Sequence, residues 1–416
     1  MHLQRLGPGG RPAEVLRALH TRARQVLLPA PAALVGQWFG AAAVIAPHLH
    51  TQPVAPRAAF PSGHPDRPPA PGDPLIGGGW IGYLGYPDGV GRLPAAAGGW
   101  TDSVLRLDTG GCWWYEALTD TPCPPDVAAA VLDPHTEPGH WSMRWTPPDR
   151  ASHHHNVEAC KDAIRAGEVY QSCICTQFTG QLTGRPADFF ADGIDRTHPT
   201  RAAYLQGHWG AVASLSPELY LARHGTTVTS SPIKGTLPLT ADPAALRDSA
   251  KDIAENVMIV DLVRNDLGRL AVTGTVTVTD LLRVRPAPGV WHLVSTVQAQ
   301  IPPATTSAEL FEASFPPASV TGCPKTRARQ LISRWEPQPR GVYCGTVGMS
   351  SPLAGLELNV AIRTVEFTPT GGAVLGVGGG ITIDSDPTAE WQECLDKARS
   401  IIELTPTRAP ALTPRP

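Results

Sequence analysis

Charge is scarce in this sequence. Asp, Glu, Lys and Arg together make up 17% of its 416 residues, and the formal net charge is −3. With an isoelectric point near 6.5, no electrostatic footprint favours a nucleic acid or an anionic membrane as partner. Long apolar runs are missing as well, and none approaches the roughly 18–20 residues that cross a bilayer. Arg5, Arg11, Arg17, Arg22 and Arg24 lie near the N-terminus. No compact apolar segment with a small-residue cleavage site follows them, which speaks against a signal peptide. Cys-x-x-Cys pairs are absent too. The eight cysteines are scattered, the usage expected of reduced, mostly buried thiols in a cytoplasmic protein. Cys173 and Cys175, two apart on an expected strand, face one side of it and read as core or pocket wall. No internal repeat is visible.

What is present is a 42% hydrophobic content with 41 glycines and 44 prolines, enough for a substantial core in one large domain or two interleaved ones. The first 150 residues pattern weakly. A helix is expected over 12–28, with Val15, Leu16, Leu19 and Val26 at helical spacing. A proline-rich loop is expected over 50–75, and a glycine-punctuated strand or turn from Gly77 to Tyr86. Trp113 to Tyr115 suggests a buried strand. Seven prolines over 121–150 suggest an excursion or boundary. From 151 to 404 the pattern is cleaner, with a helix capped by Asn156 and ended by Gly167, then a strand from Val169 to Phe178. Short strands over 209–215, 218–223 and 226–231 follow. A long helix is expected over 242–265, with Leu246, Ile253, Val257, Val260 and Val263 on its buried stripe and Glu255 off it. A helix over 324–335, strands over 342–349, 357–366 and 373–377, and a helix over 387–404 complete the region. A loose tail occupies 405–416. Strands dominate without strict alternation, so the class is α+β. The triple histidine at 153–155 does not converge on one ion, because consecutive helical residues point in different directions.

Two stretches carry chemistry. Lys234 stands alone in Ser230-Ser231-Pro232-Ile233-Lys234-Gly235-Thr236, with no acidic residue within seven positions. That setting suits an amine held at a turn, although most loop lysines are simply solvated. On the last helix Glu390, Glu393 and Lys397 fall at i, i+3 and i+7 and share one face. An ordinary exposed face with an i,i+4 ion pair would look the same. The preceding Gly378-Gly379-Gly380 and Asp384-Ser385-Asp386-Pro387 change the odds. The glycines offer bare N–H groups to an anion, and Asp386 caps the helix with Pro387 at its first position. An anion beside two glutamates calls for a bridging divalent cation. Mg²⁺ fits, since hard oxygen ligands are supplied.

These residues fall within nine ordered blocks. They are AGEVYQ at 166–171, SPE at 216–218, PIKGT at 232–236, KDIAENVMIVDLVRNDLGRL at 251–270 and HLVS at 292–295. PPASVTGCPKTRA at 316–328, RGVYCG at 340–345, LNVAIRT at 358–364 and GGGITIDSDPTAEWQECLDKA at 378–398 complete the set. Together they resemble the catalytic region of the chorismate-utilising enzymes, the family of anthranilate, isochorismate, salicylate and aminodeoxychorismate synthases. GGGWIGYLGY at 77–86 is the chief match before residue 150. The resemblance implies a large two-sheet antiparallel β sandwich with helices on its outer faces. The lysine of PIKGT is that of the aminodeoxychorismate branch, where anthranilate synthases usually carry alanine. Gln171 stands where isochorismate and salicylate synthases place a water-activating lysine.

The resemblance also implies roles. Glu255, Glu390 and Glu393 would hold Mg²⁺ against the ring carboxylate of chorismate, with the N–H groups of Gly379 and Gly380, Thr321 and Lys397 completing that site. Arg363 and Tyr343 would grip the enolpyruvyl carboxylate, and His292 would lie beside the C4 hydroxyl. Glu218 would protonate the departing hydroxyl, which requires a raised pKa. Lys234, neutral, would attack C2. The sequence has no G-x-C-x-G nucleophile, so ammonia would come from a separate glutamine amidotransferase subunit. Ser172–Phe178, Leu239 and Asn256 depart from the family's usual residues. An anthranilate or 2-amino-2-deoxyisochorismate synthase is the neighbouring alternative. A catalytically impaired glutaminase-binding relative is a third, weakened by the joint retention of Glu218, Lys234, Glu255, Arg363, Glu390 and Glu393.

Overall fold

The computed structural model describes residues 1–61, 75–135, 139–287 and 290–407. The proline-rich loop expected over 50–75 therefore lies outside the described residues from 62 to 74, as does the tail beyond 407. The chain folds as two large antiparallel sheets, one of twelve strands and one of ten. In the first, Gly372–Ile381 is flanked by Gln171–Thr183 and Thr364–Phe367. In the second, Val290–Gln300 pairs with Thr227–Ser231, Ile233–Pro238 and Thr277–Ala287. Strands from before residue 150 enter both sheets: His2–Pro8, Ala32–Trp38 and Cys112–Ala117 join the first, and Gly79–Leu84 the second.

Three apolar layers result. Leu34, Val44, Tyr83, Val347 and Met349 fill the space between the sheets. On the outer side of the larger sheet Leu16, Leu19, Phe189, Phe190 and Ile401 bury the helices Pro12–Gln25, Pro186–Thr197 and Pro387–Ile402. On the outer side of the smaller one Ile259, Val260, Val263, Leu267 and Leu310 seat the helices Ala250–Gly268 and Ser307–Ser314. Each layer removes whole apolar side chains from water at roughly 1.5–3 kcal/mol apiece.

Several local expectations are corrected. The helix expected over 242–265 is broken at Ser249, which caps Ala250–Gly268 by accepting from the Asp252 N–H at 3.2 Å. Its buried side differs as well: Glu255 and Asn256 are buried and Val257 is 39% exposed. The reason is polar. The Asn256 carboxamide donates to the Leu293 carbonyl at 3.3 Å and accepts from the Ser295 hydroxyl at 2.5 Å. These bonds turn that face onto the sheet. The helix assigned to an Asn156 cap starts earlier, at Arg150, because the Asp149 carboxylate takes the Ser152 N–H at 2.8 Å. The 121–150 segment holds a helix, Pro125–Leu132, whose Val127 and Val131 are buried. The strand expected over 357–366 is interrupted at 360–363, the position of Arg363.

Candidate active site

Two bare residues form the floor of the site. Gly379 and Gly380 lie opposite Ile174 and Cys173 in the pairing of Gly372–Ile381 with Gln171–Thr183. A Cβ at Gly379 would stand 3.0 Å from Glu390 Oε2 and 3.7 Å from Glu393 Oε1. A Cβ at Gly380 would stand 3.0 Å from Gln171 Oε1 and 3.3 Å from both Lys234 Nζ and Glu255 Oε2. Side chains from four separate segments therefore converge over this one stretch of backbone.

Lys234 lies within the strand Ile233–Pro238, bulged against Val290–Gln300, with Gly235 at φ +81° where a Cβ would be strained. Its ammonium is 3.6 Å from Glu255 Oε2. Burial pulls its pKa down, but Cys173, Glu255 and Glu218 outweigh that and hold it above the ordinary lysine value. The neutral amine expected from desolvation is not what this arrangement produces. Glu218 follows the strand Gly210–Ser216 and is only 3% exposed. Burial raises its pKa to about 7, against hydrogen bonds from the Ser319 hydroxyl and the Ile233 N–H that favour the anion.

At the other end of the floor, Glu390 Oε1 accepts from Ser385 Oγ at 2.6 Å and Lys251 Nζ at 2.9 Å. Glu390 Oε2 is buried and has no partner among the described residues. Glu393 pairs with Lys397 at 2.7 Å, and Lys397 also donates to the Gly378 carbonyl at 2.9 Å. Burial would raise the Glu393 pKa, yet Lys397 and Lys251 bring it below the ordinary value. Burial raises that of Glu255 in spite of Lys234 and Lys251. Among the described residues no three His, Cys, Asp or Glu side chains are gathered closely enough to hold a metal as they stand. The chemistry of the donors nevertheless suits a hard divalent cation: three carboxylates, one with a buried oxygen left empty.

Four further candidates remain. Arg363 adopts φ +50°, rare for a non-glycine residue, and its guanidinium makes no hydrogen bond or ion pair among the described residues. Strain of that kind concentrates at functional positions. His292 is 4% exposed, with Nδ1 2.9 Å from the Thr236 hydroxyl. Burial and Arg363 lower its pKa to about 4, so the ring is neutral near pH 7. Tyr343 is buried against Gly376, where a Cβ would meet its ring at 2.3 Å, and its hydroxyl is 3.9 Å from Cys175 Sγ. The Thr321 hydroxyl donates to the Pro317 carbonyl at 2.9 Å.

Sequence reasoning missed two participants in this cleft. Lys251 carried a signal, its i,i+4 spacing to Glu255. Gln171 marks the absence of a lysine in the sequence, yet it is fully buried and neither its oxygen nor its nitrogen has a partner among the described residues. Such an amide costs folding free energy unless something else occupies its hydrogen bonds. Of the histidines at 153–155, His153 is buried, its Nε2 3.6 Å from Cys394 Sγ, which fits packing.

A family model described as chorismate binding enzyme matches residues 111–403. Aminodeoxychorismate synthase component 1 from Escherichia coli strain K12 is 39% identical over 251 residues, covering 58% of this chain and 55% of that protein. The chain thus spans little more than half the length of the curated relative. The crystal structure of anthranilate synthase component I from Streptococcus pneumoniae aligns with TM-score 0.67 and 26% identity, covering 82% of this chain and 83% of the other. The menaquinone-specific isochorismate synthase from Escherichia coli aligns with TM-score 0.70 over 97% of this chain and 94% of its own, at 18% identity. The two-sheet fold is shared with both of these solved structures.

Proposed function

The chain belongs to the family of chorismate binding enzymes, and on that footing we propose that it aminates chorismate as an aminodeoxychorismate synthase component 1. The observation that carries this reading is the meeting of Lys234 Nζ, Glu255 Oε2 and Gln171 Oε1 above Gly380, each 3.0–3.3 Å from the same point. A partly buried amine at that point, with glutamine where hydroxylating relatives place lysine, supports nitrogen rather than water as the entering group.

The protein's residues divide the work. The N–H groups of Gly379 and Gly380, with Lys397, receive the ring carboxylate. Arg363 and Tyr343 take the enolpyruvyl carboxylate, and the free guanidinium of Arg363 suits a bidentate pair. Glu390, Glu393 and Glu255 hold a divalent cation, whose chemistry when bound is to neutralise the ring carboxylate. Glu218, protonated up to about pH 7, gives its proton to the departing C4 hydroxyl. Lys234 adds at C2 as that hydroxyl leaves. It does so only after losing its proton, and Glu255 is a carboxylate 3.6 Å away. Ammonia then adds at C4 and expels the lysine, giving 4-amino-4-deoxychorismate. The ammonia comes from a separate glutaminase subunit, and ammonium salts substitute for it in vitro.

The protonated state of Lys234 favours a second reading, in which it serves only as a cation and the protein is an anthranilate synthase component. Purified protein incubated with chorismate, Mg²⁺ and ammonium, followed by aminodeoxychorismate lyase, separates them. 4-Aminobenzoate supports the first reading and anthranilate the second; untouched chorismate overturns both.

A further inference from the structure

Lys251 opens the helix Ala250–Gly268 one turn before Glu255, and it occupies the gap between the two helices that carry the carboxylates. Its ammonium is 2.9 Å from Glu390 Oε1 and 3.9 Å from Glu255 Oε1. Lys251 is half exposed, whereas Glu255 and Glu390 are buried. The lysine thus reaches in from solvent on a long flexible stem, to carboxylates that hardly touch solvent. Glu390 is satisfied unevenly. Its Oε1 has both Ser385 and Lys251, while its buried Oε2 has nothing among the described residues.

Two buried carboxylates facing one cleft repel each other, and each costs free energy to ionise there unless a cation is supplied. In the unliganded protein Lys251 reaches both carboxylates, while Lys234 stands 3.6 Å from Glu255 alone. A divalent ion seated between the same carboxylates would lie within a few ångströms of the ammonium, and like charges at that range repel strongly where water is excluded. Both cannot stay. The buried oxygens are fixed by their helices, but Lys251 has a solvent-facing stem and can swing out. The orphaned Glu390 Oε2 is the oxygen that the resting arrangement leaves for the incoming ion.

We propose that Lys251 is the resting counter-ion of the metal site, and that a divalent cation binds by displacing its ammonium from Glu255 and Glu390. This rests on the reading of Glu255, Glu390 and Glu393 as metal ligands. Lys251 is a positioning residue here. It offsets the charge of the two carboxylates before loading, and it sets how tightly the ion is held. A consequence is that the bond from Lys251 to Glu390, which ties the start of Ala250–Gly268 to the last helix, exists only in the unloaded protein.

The test is a Mg²⁺ titration of the full chain without chorismate, read by calorimetry and by tryptophan fluorescence, since Trp391 adjoins Glu390. Lys251→Met keeps the stem and removes the charge. It should bind Mg²⁺ about tenfold more tightly than the unsubstituted protein, while Lys251→Arg should not. Lys251→Gln repeats the test should the Met variant fold poorly. Glu390→Gln should abolish binding in every background. Equal or weaker affinity in both neutral variants overturns the displacement role and leaves the metal reading standing. No binding by any of the proteins in either readout overturns both.

Discussion

Lys234 and Glu255 face each other across 3.6 Å above the bare backbone of Gly380. One comes from a bulged strand of the smaller sheet, the other from the first turns of a helix lying on that sheet. Their approach helps, after Cys173, to hold the amine's pKa up, and it depends on Gly380 having no side chain. Gly380→Ala would place a methyl group 3.0–3.3 Å from Gln171, Lys234 and Glu255. These distances are tight but allow the chain to fold. The expected result is a thermal transition within a few degrees of the parent's and a loss of about 10²-fold in kcat/KM, of the kind that small misplacements cause. Steady-state kinetics beside a calorimetric scan check it.

Glu218 gives a prediction with a defined sign. Its pKa is raised to about 7, so the proton it must donate is present below that value and lost above it. The kcat/KM profile should fall on the alkaline side with a midpoint near 7, and Glu218→Gln should lower kcat by about 10²–10⁴-fold while removing that limb. Stability changes in the same direction with pH. A carboxyl bound more tightly to its proton in the folded state stabilises the fold below the ordinary carboxyl pKa. That contribution is lost as pH rises through about 7. Glu218→Gln should therefore gain stability over the parent at pH 8, by a few kcal/mol at most, and little at pH 4. Urea unfolding at the two pH values measures the difference.

Arg363 is expected to act on substrate binding. Arg363→Met removes a guanidinium that has no protein partner among the described residues, so the melting temperature should not fall. The KM for chorismate should rise by about two orders of magnitude, the scale of a lost charge-assisted bidentate pair. A variant that melts early would show the residue to be structural.

Arg340 is the contrasting case. It is 1% exposed and bonds Glu336, the Val320 carbonyl at 2.8 Å and the Cys173 carbonyl at 3.0 Å, joining the Tyr343 turn to the strand beside the glycines. Arg340→Met leaves Glu336 without its cation and should cost about 3–5 kcal/mol in urea unfolding.

How far the site could be read from sequence depended on whether its neighbours were local. Asp386 capping Pro387–Ile402, with Glu390, Glu393 and Lys397 on one face, was legible because helical spacing alone places them. The glycines were legible as a cluster, although not which carboxylates stand over each. The buried side of Ala250–Gly268 was misread because apolar periodicity cannot see Asn256 bonding Ser295, 39 positions away. Nor could it see Lys251 reaching Glu390, 139 positions away. The charge on Lys234 was misjudged for the same reason. No acidic residue is near it in sequence, yet Glu255 and Glu218 are near it in space.

The covalent step at Lys234 is the centre of this account, and intact-protein mass spectrometry tests it most directly. With chorismate and Mg²⁺ but no ammonia, the protein should gain the mass of chorismate less one water, located by peptide mapping at Lys234. Added ammonium should discharge that adduct, and Lys234→Ala should neither form it nor yield 4-amino-4-deoxychorismate. Undiminished product from Lys234→Ala, with no adduct on the parent protein, would contradict it.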